Sequence, residues 1–84
     1  MTTLPLYGFV EGDTMGVIVL GRLDESVAEL GVALLRAVAV RVRPRGTYRI
    51  VAGSRRLDPA ATLRSQALSP LDRIDLVWEE EVRA

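Results

Sequence analysis

Residues 48–78 read YRIVAGSRRLDPAATLRSQALSPLDRIDLVW, and both ends of this stretch carry an apolar side chain at every second position. A period of two is typical of a strand with one buried face, so residues 48–52 and 74–78 are each predicted to form a strand. The side chains predicted to face the interior are Tyr48, Ile50, Ile74, Leu76 and Trp78.

The segment between these two strands is predicted to be mostly turns. Gly53-Ser54-Arg55-Arg56 leads into a short extended stretch around Leu57, which Asp58-Pro59 closes. Residues 62–68 fit a single short helical turn, and Ser69-Pro70 ends it.

The first half of the chain is predicted to form a hairpin and a helix. Residues 4–10 and 15–20 are rich in strand formers, residues 11–14 form a turn cluster between them, and Gly21 is predicted to end the second strand. Ser26 and Glu29 have the spacing of a capping box, which predicts a helix over about residues 26–40. Its predicted inner face consists of Val27, Leu30, Leu34 and Val38.

The element order β-β-α-β-(β)-β with one substantial helix predicts an α+β domain, in which the helix packs across one face of a mixed sheet of four or five strands. This is the β-grasp arrangement. The length of 84 residues favours a single domain over residues 1–84.

The composition argues against several kinds of function. The chain has no histidine, cysteine or lysine, which removes the usual metal ligands, the thiol nucleophile and the Schiff-base amine. Its 11 basic residues balance its 11 acidic ones, which gives no support for nucleic-acid binding. No segment approaches the roughly 20 apolar residues of a membrane span. We expect a soluble, cytoplasmic protein that binds other proteins, without catalytic residues and without a metal or cofactor of its own.

Two groups of residues carry a resemblance to known proteins. The order Ile50-Val51-Ala52-Gly53, Leu57, Thr62-Leu63, Leu68, Ile74, Leu76 and Val77 resembles the second half of ubiquitin. Landmarks along the whole chain resemble the small ubiquitin-like gamma subunit of bacterial toluene monooxygenases, the toluene-4-monooxygenase system protein B family. These landmarks are Leu4-Pro5, Glu11, Asp13, Asp24, Ser26, Pro44, Arg45, Gly46, Arg49, Leu68, Pro70, Ile74-Asp75, Val77 and Glu79-Glu80.

The resemblance implies a non-catalytic, structural or auxiliary subunit of a multicomponent aromatic or alkene monooxygenase. In that family a carboxylate-bridged diiron centre lies on the large hydroxylase subunit. The implied partners are therefore the large catalytic subunit and its companion subunits. A diiron site of this kind uses paired Glu-x-x-His motifs, which a chain without histidine does not contain.

Two other functions are compatible with a ubiquitin-like fold. The first is a free-standing ubiquitin-like interaction module in another assembly, for example one for secretion or signalling. The second is a sulfur carrier or conjugated modifier, which we expect to be excluded because the sequence ends in Glu81-Val82-Arg83-Ala84 instead of Gly-Gly.

Excess apolar residues point to a partner surface. Residues 17–20 are apolar on both faces of one predicted strand, and Val32 and Val40 lie on the predicted outer side of the helix. A single helix covers only one face of a sheet, so the remaining apolar surface is either exposed or buried by another chain. Alternation predicts an interface on the uncovered sheet face, with Arg45 at its edge. Its predicted residues are Arg45, Arg49, Val51, Asp75 and Val77.

Three charged groups have a simpler interpretation. Residues 79–81 are three consecutive glutamates, which point to alternate sides of an extended chain and are interpreted as a solvated end. Asp72 and Asp75 are interpreted as surface charges rather than an acid–base pair. The arginines of residues 41–45 are candidates to bind the carboxylates of a protein partner.

Overall fold

The computed structural model describes residues 3–79, which form a mixed five-stranded sheet with one α-helix across one face. The elements are β1 (Thr3–Val10), β2 (Val17–Arg22), α1 (Val27–Ala37), β3 (Tyr48–Ala52), β4 (Arg55–Arg56), a short 3₁₀ helix (Arg64–Gln66) and β5 (Arg73–Trp78). The strand order is β2-β1-β5-β3-β4, in which β1 and β5 pair in parallel and the other neighbours pair antiparallel. The α+β prediction is confirmed.

The core lies between the sheet and α1. All four side chains predicted for the inner face of the helix are buried, and so are the predicted inward residues of β3 and β5 except Tyr48, which is half-buried against the core. Loop residues Leu57 and Leu63 are also fully enclosed. The periodicity therefore identified the buried faces correctly.

Several element boundaries differ from the sequence prediction. β2 begins at Val17 instead of residue 15, and the short extended stretch predicted around Leu57 is β4 at Arg55–Arg56, within the segment predicted to turn. β2 does not end at Gly21 but continues to Arg22, because Gly21 pairs with Leu4 on the inner side of the sheet. A Cβ atom at Gly21 would lie 2.5 Å from Cδ1 of Leu63, so this glycine permits a close approach rather than a turn. The helix ends at Ala37 instead of near residue 40, and residues 38–41 form turns that keep Val38 buried.

The start of α1 is fixed by a capping box. Ser26 Oγ accepts a hydrogen bond of 3.1 Å from the backbone N–H of Glu29, and the Ser26 N–H donates to Oε1 of Glu29 at 2.9 Å. The next two amides, of Val27 and Ala28, donate to carbonyls of the loop that precedes the 3₁₀ helix. These bonds satisfy amides that a helix leaves unpaired at its start.

Replacement of Ser26 by alanine is expected to lower the free energy of unfolding by about 1 kcal/mol, because the Glu29 N–H loses its acceptor Oγ, whereas the backbone N–H of residue 26 can still donate to the Glu29 carboxylate. The measurement is the urea midpoint followed by circular dichroism. Ser26→Thr is the matched control, since threonine retains the acceptor oxygen. Equal midpoints for wild type and Ser26→Ala would contradict this capping contribution.

Residues 80–84 lie outside the described part of the chain, so the interpretation of Glu80 and Glu81 as a solvated end stays a prediction. Glu79 is half-buried and pairs with Arg56 at 3.2 Å.

Candidate docking face

The side of the sheet away from α1 carries alternate side chains from four strands, and we call this side the open face. Because paired residues on neighbouring strands point to the same side, the strand register defines its members. They include Pro5, Tyr7 and Phe9 of β1, Ile18, Leu20 and Arg22 of β2, Arg49 and Val51 of β3, and Arg73, Asp75 and Val77 of β5. All are exposed or half-buried.

Four of the five residues predicted for the interface lie together on this face. Arg49 pairs across the strands with Val77, and Val51 pairs with Asp75. All four are half-buried, and we call them the strand-pair cluster. A groove of about 450 Å³ runs along the face, and Val51, Asp75 and Val77 contribute to its lining.

The fifth predicted residue, Arg45, lies outside the strand-pair cluster. It is exposed in the loop before β3, and its Nη1 atom lies 4.0 Å from the position of a Cβ at Gly12. Gly12 has φ +98°, in the turn after β1. Arg45 therefore adjoins the β1–β2 turn.

Arg73 and Asp75 form an ion pair within the open face. The Arg73 Nη2 atom lies 3.0 Å from Oδ1 of Asp75, and its guanidinium carbon lies 3.9 Å from the ring centroid of Phe9. The hydrogen bond to Asp75 raises the pKa of Arg73 above its usual value. Asp75 thus has an ion-pair partner on the open face.

Arg49 has no ion-pair partner within residues 3–79. The neighbouring cation Arg56 is paired with Glu79, and Arg73 is paired with Asp75. Arg49 is half-buried on a strand position beside Val51 and Val77, and a guanidinium can bind a carboxylate from another protein with a forked pair of hydrogen bonds. This makes Arg49 the strongest polar candidate of the strand-pair cluster.

The other half of the open face, formed by β1 and β2, was not predicted to belong to the interface. Ile18 and Leu20 are 63% and 68% exposed, and Tyr7 lies directly across from Ile18. Tyr7 also packs against Phe9, with ring centroids 4.8 Å apart. The apolar run of residues 17–20 indicated in the sequence that both faces of this strand are apolar. Only the pairing of β1 with β5 shows that Ile18 and Leu20 share a face with the strand-pair cluster.

An ion pair ties the β1–β2 turn to the segment after α1. Arg41 donates from Nε and Nη2 to the Asp13 carboxylate, at 3.1 and 2.8 Å, and the Asp13 side chain is only 3% exposed. The guanidinium of Arg41 lowers the pKa of Asp13 below its usual value of 3.8. Arg41 thus has a partner within its own chain, although sequence analysis considered it for binding another protein.

We expect this pair to make stability depend on acid pH. Because the pKa of Asp13 is lower in the folded state, the stabilisation is present above its unfolded pKa of about 3.9 and is lost as the pH falls through the folded value. Glu29, whose pKa is lowered by hydrogen bonds from Ser26, acts in the same direction. Asp13→Asn should therefore make the loss of thermal stability between about pH 5 and pH 2 shallower.

The control for this prediction is a double-mutant cycle with Arg41→Gln, measured by thermal unfolding at each pH. Arg41→Gln should remove the largest part of the pH-dependent contribution that Asp13→Asn removes, so the double variant should show no flatter profile than Asp13→Asn alone. Additive effects of the two substitutions would contradict a direct Asp13–Arg41 pair.

The outer side of α1 is the alternative to the open face as a docking surface. Val32 is half exposed on the outer side of α1, whereas Val40 lies in the turns beyond its end and is 91% exposed.

Across residues 3–79, no group of three or more acidic, histidine or cysteine side chains is arranged to hold a metal ion. None of the described helices is long and apolar enough to cross a membrane.

No family model matches the sequence, and no curated protein matches it. Solved structures match it in fold. A chain of the toluene 4-monooxygenase HD complex with the inhibitor 4-bromobenzoate has a TM-score of 0.85 at 24% identity, covering 93% of this chain and 100% of that chain. The ubiquitin of Caldiarchaeum subterraneum has a TM-score of 0.72 at 16% identity, covering 94% and 96% of the two chains.

A third similar structure is a chain of the MycP5-free ESX-5 inner membrane complex, with a TM-score of 0.74 at 18% identity. The match covers 100% of this chain but only 23% of that longer chain. At these identities the likeness establishes a fold, and the protein has the ubiquitin-like β-grasp fold.

Proposed function

We propose that this protein is a non-catalytic subunit of a multicomponent diiron monooxygenase hydroxylase for aromatic or alkene substrates. The observation that supports this proposal best is the end-to-end likeness to a chain of the toluene 4-monooxygenase HD complex, since the alignment covers 100% of that chain. The sequence landmarks described above support the same class of assembly.

In this proposal the reacting iron belongs to the large subunit. A carboxylate-bridged diiron site uses histidine from Glu-x-x-His motifs as well as glutamate, and this chain has no histidine. Several of its carboxylates already serve the fold: Asp13 and Asp75 pair with arginines, and Glu29 caps α1. The chain would contribute shape and contact surface but no metal ligand.

The open face is the proposed docking surface on the large subunit. It combines exposed apolar side chains, led by Ile18 and Leu20, with Arg49, which makes no ion pair within the described residues 3–79. Apolar and aromatic groups together with arginine are enriched in the centres of protein interfaces. The open face is also broad enough across four strands to approach the roughly 1,000 Å² that a stable interface buries.

Co-expression with the chains encoded beside it tests this proposal. We expect this protein to co-elute in stoichiometric amount with a chain that carries paired Glu-x-x-His motifs. Iron should follow that large chain, and the separated small chain should bind no iron, zinc or flavin after dialysis. The proposal fails if no such neighbour binds, or if dialysed small chain retains stoichiometric metal.

The second candidate is a ubiquitin-like interaction module in another assembly, such as one for secretion. The likeness to part of a chain in the ESX-5 inner membrane complex favours it. The chains that co-purify distinguish the two candidates, since only the first predicts a partner with paired Glu-x-x-His motifs.

A further inference from the structure

A pocket of about 310 Å³ lies between the start of α1 and the first half of β3. Because β4 pairs only with Val51 and Ala52, the preceding residues of β3 have no neighbouring strand on this side. The apolar part of the lining consists of Val27, Ala28, Tyr48, Ile50, Leu57 and Pro59. Three of these, Val27, Ile50 and Leu57, belong to the buried core, so the pocket extends from the core to the surface.

The ring of Tyr48 is a fixed wall of this pocket. A Cβ atom at Gly31 would lie 2.7 Å from the Tyr48 hydroxyl oxygen, so the ring rests directly on the backbone of α1, one turn after Val27. On another side the ring packs edge-on against Trp78, with centroids 5.8 Å apart. An aromatic ligand in the pocket would therefore meet an aromatic wall that is already in place.

The main chain of Tyr48 supplies the polar contacts. The Glu79 N–H donates to the carbonyl of Thr47, which directs the odd-numbered residues of β3 toward β5. The Leu57 N–H donates to the carbonyl of Ile50 on the opposite side. By alternation, the N–H and C=O groups of Tyr48 point to the side without a neighbouring strand. Neither group forms a backbone hydrogen bond with another described residue, so one donor and one acceptor face the pocket.

The charges around the pocket favour a neutral ligand. Arg49 and Arg56 border it, but their pairing with Val77 and Val51 directs both side chains to the side of the sheet away from α1. Arg56 is also paired with Glu79. No carboxylate of the described residues contributes to the lining.

We propose that this pocket binds a free, neutral phenol, with its ring against Val27, Ile50 and Leu57 and its hydroxyl on the main chain of Tyr48. An apolar cavity of about 150 Å³ is enough to bind benzene, so this pocket has room for a substituted ring. A hydroxyl both donates and accepts, which matches the two outward groups of Tyr48. The inference does not rest on the proposed function, although hydroxylation of an aromatic ring would yield this class of molecule.

Titration of phenol into the full chain labelled with ¹⁵N and ¹³C tests the site by NMR. We expect a dissociation constant of about 1 mM, which is ordinary for so small a ligand. The largest amide shift is expected at Tyr48, with nuclear Overhauser contacts from the phenol ring to methyl groups of Val27, Ile50 and Leu57. Benzene, which lacks the hydroxyl, should bind about fivefold more weakly.

A pair of alanine substitutions on α1 provides the control. Ala28 is exposed and lines the pocket, so Ala28→Leu should weaken phenol binding by at least about tenfold, because the added side chain takes the volume of the ring. Ala37→Leu makes the same change at an exposed position outside the pocket and should leave the affinity unchanged. Leucine is a good helix former, so both variants should fold, which circular dichroism verifies.

Four results would overturn the inference. The first is the absence of contacts to the three methyl-bearing residues at millimolar phenol, and the second is equal binding of benzene and phenol. The third is tighter binding of benzoate, which would indicate a charged ligand. The fourth is tighter binding of N-acetyltyrosinamide, which would assign the pocket to a tyrosine of a partner protein. Each is measured without a hydroxylase, so failure of this site and failure of the proposed function are separate outcomes.

Discussion

Replacement of Trp78 by alanine is expected to destabilise the fold by about 3–5 kcal/mol, a large part of the 5–15 kcal/mol typical of a whole domain. Trp78 is 5% exposed and its indole packs edge-on against Tyr48, with ring centroids 5.8 Å apart. Its Nε1–H donates to the carbonyl of Glu11 at 3.0 Å, and its backbone N–H donates to the Glu11 carboxylate at 2.9 Å. The substitution leaves a cavity and also breaks a connection between the ends of β1 and β5.

Two controls separate these contributions in urea unfolding followed by circular dichroism. Trp78→Phe keeps most of the apolar ring but loses the indole hydrogen bond, and should cost about 1–2 kcal/mol. Val77→Ala removes a half-buried side chain on the open face and should cost less than about 1 kcal/mol. If Trp78→Ala were no worse than Val77→Ala, the assignment of the two faces of β5 would be wrong.

Local patterns in the sequence predicted the fold because each pattern has a local physical cause. The period of two in β3 and β5 and the capping box at Ser26 gave the inner faces and the helix start that the structure shows. The wrong end of β2 has a non-local cause. Gly21 continues β2 because Leu63, distant in sequence, needs the space of its missing side chain. The helix ends at Ala37 although residues 38–40 remain apolar, because Val38 stays buried as the cap of α1 while the next residues turn away.

The difference between local patterns and long-range contacts also explains which parts of the docking face were predicted. Alternation within β3 and β5 correctly placed Arg49, Val51, Asp75 and Val77 together. It did not reveal that Tyr7 and Ile18 extend this face, because that depends on the parallel pairing of β1 with β5, between residues 66 positions apart. Nor did it reveal that Arg41 is held by Asp13, an ion pair between residues 28 positions apart. Whether the open face binds a partner stays a prediction.

The second large effect is expected for binding. Arg49→Glu combined with Val51→Asp should leave the isolated chain folded, because both side chains lie on the open face rather than in the core. In the proposed hydroxylase complex it should raise the dissociation constant by roughly 100-fold, about 2.7 kcal/mol, since one substitution reverses a charge and the other buries a new carboxylate without a partner. The measurement is binding of the purified variant to the large subunit by calorimetry, with circular dichroism to verify folding.

The matched control makes the same two kinds of substitution on the opposite surface. Val32→Asp with Arg36→Glu places an acidic pair on the exposed outer side of α1. If the open face is the docking surface, only the Arg49→Glu/Val51→Asp variant dissociates, and the helix variant stays bound. The reverse result would assign docking to the outer side of the helix around Val32 and Val40. The two variants therefore decide between the surfaces, because each introduces the same charges into a folded chain on one face only.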